Sequence, residues 1–430
     1  MDPVMSLKLE QRLEELQFVQ RASLQLHHAL TLACLAHIEH SGYISLEPDH
    51  VSIQNSGPSS VNFSIAFTGC AVDGDPSGVD TNWLAIKSAF YEPRTKLNAE
   101  HDPMIQNPLS AFTTAFATAN DILHTSVVVH NLKTTKWVRF HTNQASTLQP
   151  MAMLPIFDST DQSLEEFSTG HDFCFYKRSL ILRSRGDICI GYLEMAEPTG
   201  IWRHLLYVMP RATVAPIHSR EFPSLAQLYY SISPKYGVGH LSIYVRLQLA
   251  YKLAIAVLCL HSTPWLQPSW GSDDVLFLST DDNFIQRNGP LAFPHLKVRV
   301  VNEYRQEKII AKASESINEG FPYNSNLFNL GILLLELGYF KPLSSLRDSP
   351  DFINCKEEKV ADFVLAKRLS LTLGCQMGSA YASIVQKCLR CDFGKGSDLS
   401  DLATQAVFYQ DVVCELERLE ECGKELEIWD

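Results

Sequence analysis

The spacing of apolar residues changes twice along the chain. Over residues 7–40, LKLEQRLEELQFVQ and LHHALTLACLAHIEH repeat Leu, Val and Ala every three or four positions and predict a helix. A period of two then takes over. GYISLEP and VNFSIAFTG read as strands, AVDGDPSGVD as a turn-rich loop, and residues 81–110 show no clear pattern. SAFTTAFATANDIL reads as a helix, TSVVVHN and KWVRFH as strands, and the stretch from NQASTLQP to MAMLPIF as a connection. Ser163 and Glu166 have the capping-box spacing and predict a short helix from Ser163. RSLILRS, DICIGYLE and WRHLLYVMP give three more strands.

From about residue 222 the helical period returns. FPSLAQLYYSI is one helix, and LSIYVRLQLAYKLAIAVLCLHS is a long one with an apolar face. VLFLS and LKVRVV form two short strands about the turn TDDN. LFNLGILLLELGYFKPL follows as a helix, then further helices over 357–375, 378–390 and 399–424. The expected layout is α+β. A helical leader occupies 1–23, an N-terminal helix-plus-strand segment 24–110, a small strand-rich lobe 111–212 and a larger helical lobe 213–430.

Composition narrows the function classes. A chain of 430 residues with 46% hydrophobic and 20% charged residues holds enough apolar material for a sizeable core. The net charge is −12 and the basic residues form no run, which argues against nucleic-acid binding through overall charge. No uninterrupted apolar run reaches the ~18–20 residues of a bilayer span. The nearest, LFNLGILLLELGYF, is shorter, carries Glu336 and reads as a buried helix. MDPVMSLKLEQRLEEL lacks the apolar core of a secretory signal, so the expected compartment is cytoplasmic or nuclear, with the eleven cysteines reduced. Cys388 and Cys391 form a lone CxxC without a second pair, and Cys34, His37 and His40 lack an acidic or Cys partner nearby. Neither group is expected to hold a metal, and no cofactor is implied.

The candidate chemistry lies in LHSTPWLQPSWGSDDVLFL, residues 260–278. Its two ends resemble the catalytic segment of a protein kinase. Leu260, His261 and Ser262 match the end of the helix before the catalytic loop, and Val275, Leu276 and Phe277 match the strand after it. Counting between them puts Gln267, Pro268 and Ser269 at the His-Arg-Asp place, Gly271 at the Lys place and Asp274 at the metal-binding Asn place. Kinase chemistry needs a carboxylate base and two metal-holding side chains. Ser269 is neutral near pH 7 and is no such base. The metal-binding aspartate that should follow LKVRVV is replaced by Val300, Val301 and Asn302, and no Asp occurs between Asp282 and Asp348. No glycine occurs between Gly78 and Gly170, so the phosphate-hugging loop has no glycine to build it. The best places for the nucleotide Lys and its Glu partner are Lys136 and Glu165 or Glu166, with two solvated surface charges as the plainer reading.

The structural marks of the resemblance are fuller. Asn326 and Gly331 stand at the Asp and Gly of the Asp-x-Trp-Ser-x-Gly helix, and Asn326 is a suitable N-cap. KCLRCD, ending at Asp392, is similar to the Cys-Leu-x-x-Asp that precedes a kinase Arg, with Lys395 or Gly396 near the Arg place. A closer resemblance is to a fungal family of unknown function with a degenerate kinase-like C-terminal half. It is carried by LHHALTLACLAHIEHSGYISLEP, LAIAVLCLHSTPWLQPSW, VLFL, LFNLGILLLELGYFKPL, CLRCDF and FYQDVVCELERLE, over residues 24–424. That family often carries a longer N-terminal helical region like those of fungal prion and incompatibility proteins. It brings no catalytic residues to transfer.

The resemblance implies a catalytically inactive pseudokinase that binds an unidentified protein partner, in an oligomeric state the sequence does not give. Two alternatives stand beside it. One is a divergent phosphotransferase using Asp273 or Asp274, with Asp281 or Asp282 nearby. The other is a non-nucleotide binding platform with a pocket near Trp265 and Trp270. The plainer reading makes the aspartates turn residues and the tryptophans core.

Overall fold

A computed structural model of the chain describes residues 3–33, 39–46, 50–53, 58–68, 81–92, 138–139, 188–208, 223–231, 241–277, 294–301, 324–347 and 358–427. Several expectations lie outside these residues: the helix SAFTTAFATANDIL, the strands TSVVVHN and RSLILRS, the helix at Ser163, and Lys136, Glu165, Glu166, Asp281, Asp282, Cys34 and His37.

The leading helix, α1, runs Pro3–Ala33 and stops short of the expected residue 40. His40 belongs instead to β1 (Glu39–Ser45), whose alternation puts His40, Gly42, Ile44 and Leu46 on the buried face. His40 is therefore not on a turn of α1. β2 (His50–Ser52), β3 (Ser59–Thr68), β4 (Thr81–Tyr91), β5 (Val138–Arg139), β6 (Ile188–Glu197) and β7 (Gly200–Val208) follow. β4 occupies a stretch without a sequence pattern, because Ala85 and Ala89 on its other face blur the alternation with Leu84, Ile86 and Phe90.

The sheet extends beyond these strands. They join β8 (Val275–Phe277) and β9 (Pro294–Val301) in one sheet of nine antiparallel strands, ordered β5-β6-β7-β4-β3-β1-β9-β8, with β2 beside β1 on β3. The key seam is β1 on β9, continuous from Glu39↔Val301 to Ser45↔His295. On its other edge β1 pairs with β3, and Gly42 is required there. A Cβ there would sit 2.9 Å from the Ala66 carbonyl oxygen on β3.

The helices after β7 are α2 (Leu225–Ser231), α3 (Ile243–Leu260), α4 (Ser325–Tyr339), α5 (Glu358–Thr372), α6 (Gly374–Arg390), α7 (Leu402–Phe408) and α8 (Glu415–Glu427). A 3₁₀ turn, Leu343–Leu346, follows α4, and a π-helical turn, Tyr409–Cys414, links α7 to α8. α3 is apolar nearly all round and lies among α1, α4 and α8. Its 18 residues have a mean hydropathy of 1.7, so among the described residues it is the one helix long and apolar enough to cross a membrane. No uninterrupted apolar run marks it in the sequence, because Arg246 and Lys252 break it. Two thirds of it is buried inside the protein, as a core helix is.

α4 meets α6 at close quarters. A Cβ on Gly331 would lie 2.9 Å from the Leu389 backbone nitrogen, so only glycine allows this approach. α6 contains a break at Gly378, with φ at 82° and ψ at 161°, where one helix was expected to end and the next to begin. α1 lies between the two halves of the molecule. Its face of Leu16, Val19, Ala22, Leu26, Ala29 and Leu30 is buried, and it touches both α3 and strands β4, β6, β7 and β9.

Candidate functional site

The stretch after α3 is a compact series of turns. His261 ends the helix with its N–H donating to Val257 O at 2.9 Å, and Ser262 takes φ 58°. Thr263 donates its hydroxyl to Leu260 O at 2.6 Å, and the Trp270 N–H donates to Gln267 O at 3.1 Å. The Asp274 N–H donates to Gly271 O at 3.0 Å, while Asp274 Oδ2 accepts the Gly271 N–H at 3.1 Å, closing the turn into β8.

α1 fastens this joint from one side. Gln20 Nε2 donates to the His261 carbonyl at 2.6 Å and lies 3.0 Å from His261 Nε2. The other ring nitrogen of His261, Nδ1, is 2.9 Å from Leu258 O. Nδ1 therefore carries the proton and Nε2 is the acceptor. Gln405 of α7 brings a second amide to 3.4 Å from Nε2, and Gln17 of α1 donates to Gln405 Oε1 at 3.3 Å. Burial pushes the His261 pKa down and favours this neutral form. Trp265 Nε1 donates to Ser23 O at 2.6 Å, and the His27 ring stands edge-on to Trp265 at 4.9 Å. From the other side, Asn329 Nδ2 of α4 donates to Pro268 O at 2.9 Å.

Each candidate residue has a definite place. Ser269 is exposed at the tip of the joint, next to exposed Pro268. Asp273 is exposed. Asp274 is half-buried and committed to its turn, with its pKa raised by burial in spite of the Gly271 N–H and Lys297. Val300 is buried in β9 and pairs with His40. Trp265 and Trp270 are both buried in the main core. His261 is buried in the amide cluster. The structure thus gathers His261, Trp265, Trp270, Ser269 and Asp274 in one joint and keeps Val300 on the neighbouring strand.

The remaining candidates serve the helical core. Asn326 is not the N-cap of α4. That role falls to Asn324, whose Oδ1 accepts the N–H groups of Asn326 at 3.1 Å and Leu327 at 3.2 Å. Asn324 also precedes the helix by one residue, the position a cap must hold, and its Nδ2 reaches Ser397 O at 3.0 Å. Gly331 faces Leu389, and Asp392 is exposed with Oδ1 accepting the Gly394 N–H at 3.0 Å. Cys388 and Cys391 are buried, and burial pushes both thiols up, Cys391 to about 12. Among the described residues no three His, Cys, Asp or Glu side chains group as metal ligands.

The residues that sequence reasoning missed are Gln20, Ser23 and His27. They recur at three- and four-residue spacing inside the apolar stripe of α1, so polar groups interrupting a buried face were the available signal.

The fold and site together define a mixed α+β protein in which a helical half and a sheet are joined through an N-terminal helix. Residues 203–421, half of the chain, match the family model described as Domain of unknown function (DUF7580), and the chain belongs to that family. The match begins inside β7 and ends in α8, so α1 and β1–β6 lie before it. No curated protein matches the chain.

Proposed function

We propose that the chain is a catalytically inactive, protein-kinase-like interaction module, working in the cytosol or nucleus of a fungus and binding another protein rather than a nucleic acid. The observation that carries this reading is that the groups at the kinase-like positions are spent on structure. Asp274 closes a turn through its own carboxylate, His261 is held as a neutral acceptor for α1, and Val300 fills the core beneath β1. Ser269 is exposed but has no charge to offer as a base, and exposed Asp273 stands in the turn entering β8 rather than at the base position.

A reaction centre needs groups free to exchange protons or metal with a substrate. A scaffold joint needs them fixed, and the hydrogen bonds at 260–274 favour fixation.

The test is a thermal melt of the full chain with and without MgATP, followed by a radiolabel-transfer assay on a generic protein substrate. The expected outcome is no shift and no transfer. A rise of several degrees with label transfer that disappears in Asp274→Ala would replace this reading with that of a divergent phosphotransferase.

A further inference from the structure

A second group of polar residues lies behind the joint, where α2, the 271–274 turn, α4, the 3₁₀ turn and α5 converge. Its centre is Glu336, near the end of α4 and only 6% exposed. Glu336 Oε1 accepts the Leu343 N–H at 2.7 Å, which ties the 3₁₀ turn back onto α4. Glu336 Oε2 is buried without a hydrogen-bond partner, and so is the hydroxyl of Tyr229 on α2.

Among the described residues, the charged groups that act on this carboxyl are carboxylates. From the 271–274 turn it faces the Ser272 hydroxyl and Asp273, and from α5 it faces Asp362, so both neighbouring carboxylates repel a negative charge. Asp362 is itself paired with Arg347. On α3, Arg246 directs Nη1 to the carbonyls of Gly338 at 3.1 Å and Leu337 at 3.5 Å, at the end of α4. On α6, the Tyr381 hydroxyl donates to Leu334 O. Lys341 is exposed, and its backbone N–H bonds the Glu336 carbonyl. The Leu343 N–H and the Ser272 hydroxyl favour the carboxylate, but burial and the two like charges outweigh them and favour the neutral acid.

We propose that Glu336 is a protonation-controlled latch. Its neutral carboxyl keeps the corner between α4 and the 3₁₀ turn closed against α2 and the 271–274 turn, and its ionisation loosens that corner.

Burial, with Asp273 and Asp362, pushes the Glu336 pKa up to about 7 from an ordinary 4.5. A raised carboxyl pKa means that the folded state holds its proton longer than the unfolded chain. The extra stability is complete below pH 4.5 and is lost as pH rises through 7. The latch is thus set to work across the neutral range.

The experiment follows unfolding of the full chain from pH 5 to pH 8.5, beside Glu336→Gln, which keeps the shape and an uncharged oxygen for the Leu343 N–H. The folding equilibrium of the variant should gain on wild type as pH rises, by a total on the order of a hundredfold. Amide exchange at Leu343 should speed up above neutral pH in wild type relative to the variant. Should the variant fail to fold, the infrared carboxyl band of the wild-type protein gives the answer, because a protonated band should disappear near pH 7. A wild-type–variant difference that does not change with pH, or the absence of a carboxyl band titrating near neutrality, overturns the latch.

Discussion

The molecule has two inner seams, and they are built from different materials. Between α4 and α6 the contact is apolar and close, with Gly331 against Leu389 and Gly338 against Leu373. Its polar groups are few and remain neutral through the physiological range. The Tyr381 hydroxyl bonds Leu334 O, and burial pushes both this phenol and the Cys388 thiol up, away from ionisation. Between α1 and the joint the contact is also buried but is written in amides and imidazoles: Gln20, Ser23, His27, His261 and Gln405. A seam made of packing is indifferent to pH. A seam made of neutral histidines holds only while they stay neutral. The second kind is where the chain can be opened without dismantling its core.

The largest expected effect removes the centre of the polar seam. Trp265 is fully buried, meets the His27 ring edge-on and donates to Ser23 O. Trp265→Ala should cost about 3–5 kcal/mol, the range for truncating a large buried aromatic, and leaves the Ser23 carbonyl without this donor. Denaturant unfolding reads the loss. If the variant keeps wild-type stability but loses a protein partner recovered by affinity purification, Trp265 is a contact residue and the comparison of seams fails.

Acid separates the seams next. Burial pushes His27 down to about 4, helped by neighbouring His28. Burial alone pushes His204, on β7 under α1, down to about 3. A histidine whose folded pKa is depressed adds stability that is complete above pH 6.5 and is lost as pH falls toward the folded value. His27 alone accounts for about 3 kcal/mol, since each pKa unit is worth about 1.4 kcal/mol. Glu336 acts in the opposite direction between pH 4.5 and 7, so its glutamine variant is the cleaner background. Amide exchange between pH 6.5 and 4 should show α1 and β7 losing protection before α4 and α6. Uniform loss across both seams would erase the distinction.

Much of this was legible in the sequence, and the exceptions have physical causes. The helices of the second half are legible from their long apolar runs, nearly all round in α3 and α4 and on one face in α6. The strand pairing did not. VLFLS and LKVRVV read as a hairpin of the helical half, yet β9 bonds β1 from more than 200 residues earlier, and nothing in a local pattern records which strand will take an open edge. The joint is legible from its ends, Leu260–Ser262 and Val275–Phe277, because they resemble the helix end and the strand of a kinase catalytic segment. Its real partners were invisible. Gln20 and Gln405 meet at His261 from 241 and 144 positions away, and an amide gives no sign in sequence of what it will bond. Asn326 is a suitable cap by sequence, yet Asn324 holds the role: two capping residues stand two positions apart, and only the backbone decides between them.

The smallest effect sharpens the polar seam most. Gln20 gives both amide hydrogens to one residue, one to the His261 carbonyl and one to Nε2. Removing them in Gln20→Ala should cost about 1–2 kcal/mol, the net worth of one or two hydrogen bonds in a half-buried site. Gln405→Ala removes the second amide from the same Nε2. If His261 Nε2 is the shared acceptor, the two losses should not add: the double variant should fall short of or exceed the sum by at least about 0.5 kcal/mol. Additive losses would mean that α1 is fastened through the carbonyl alone and that the imidazole only fills space. The seam would then lose its sensitivity to His261, leaving His27 to carry its response to acid.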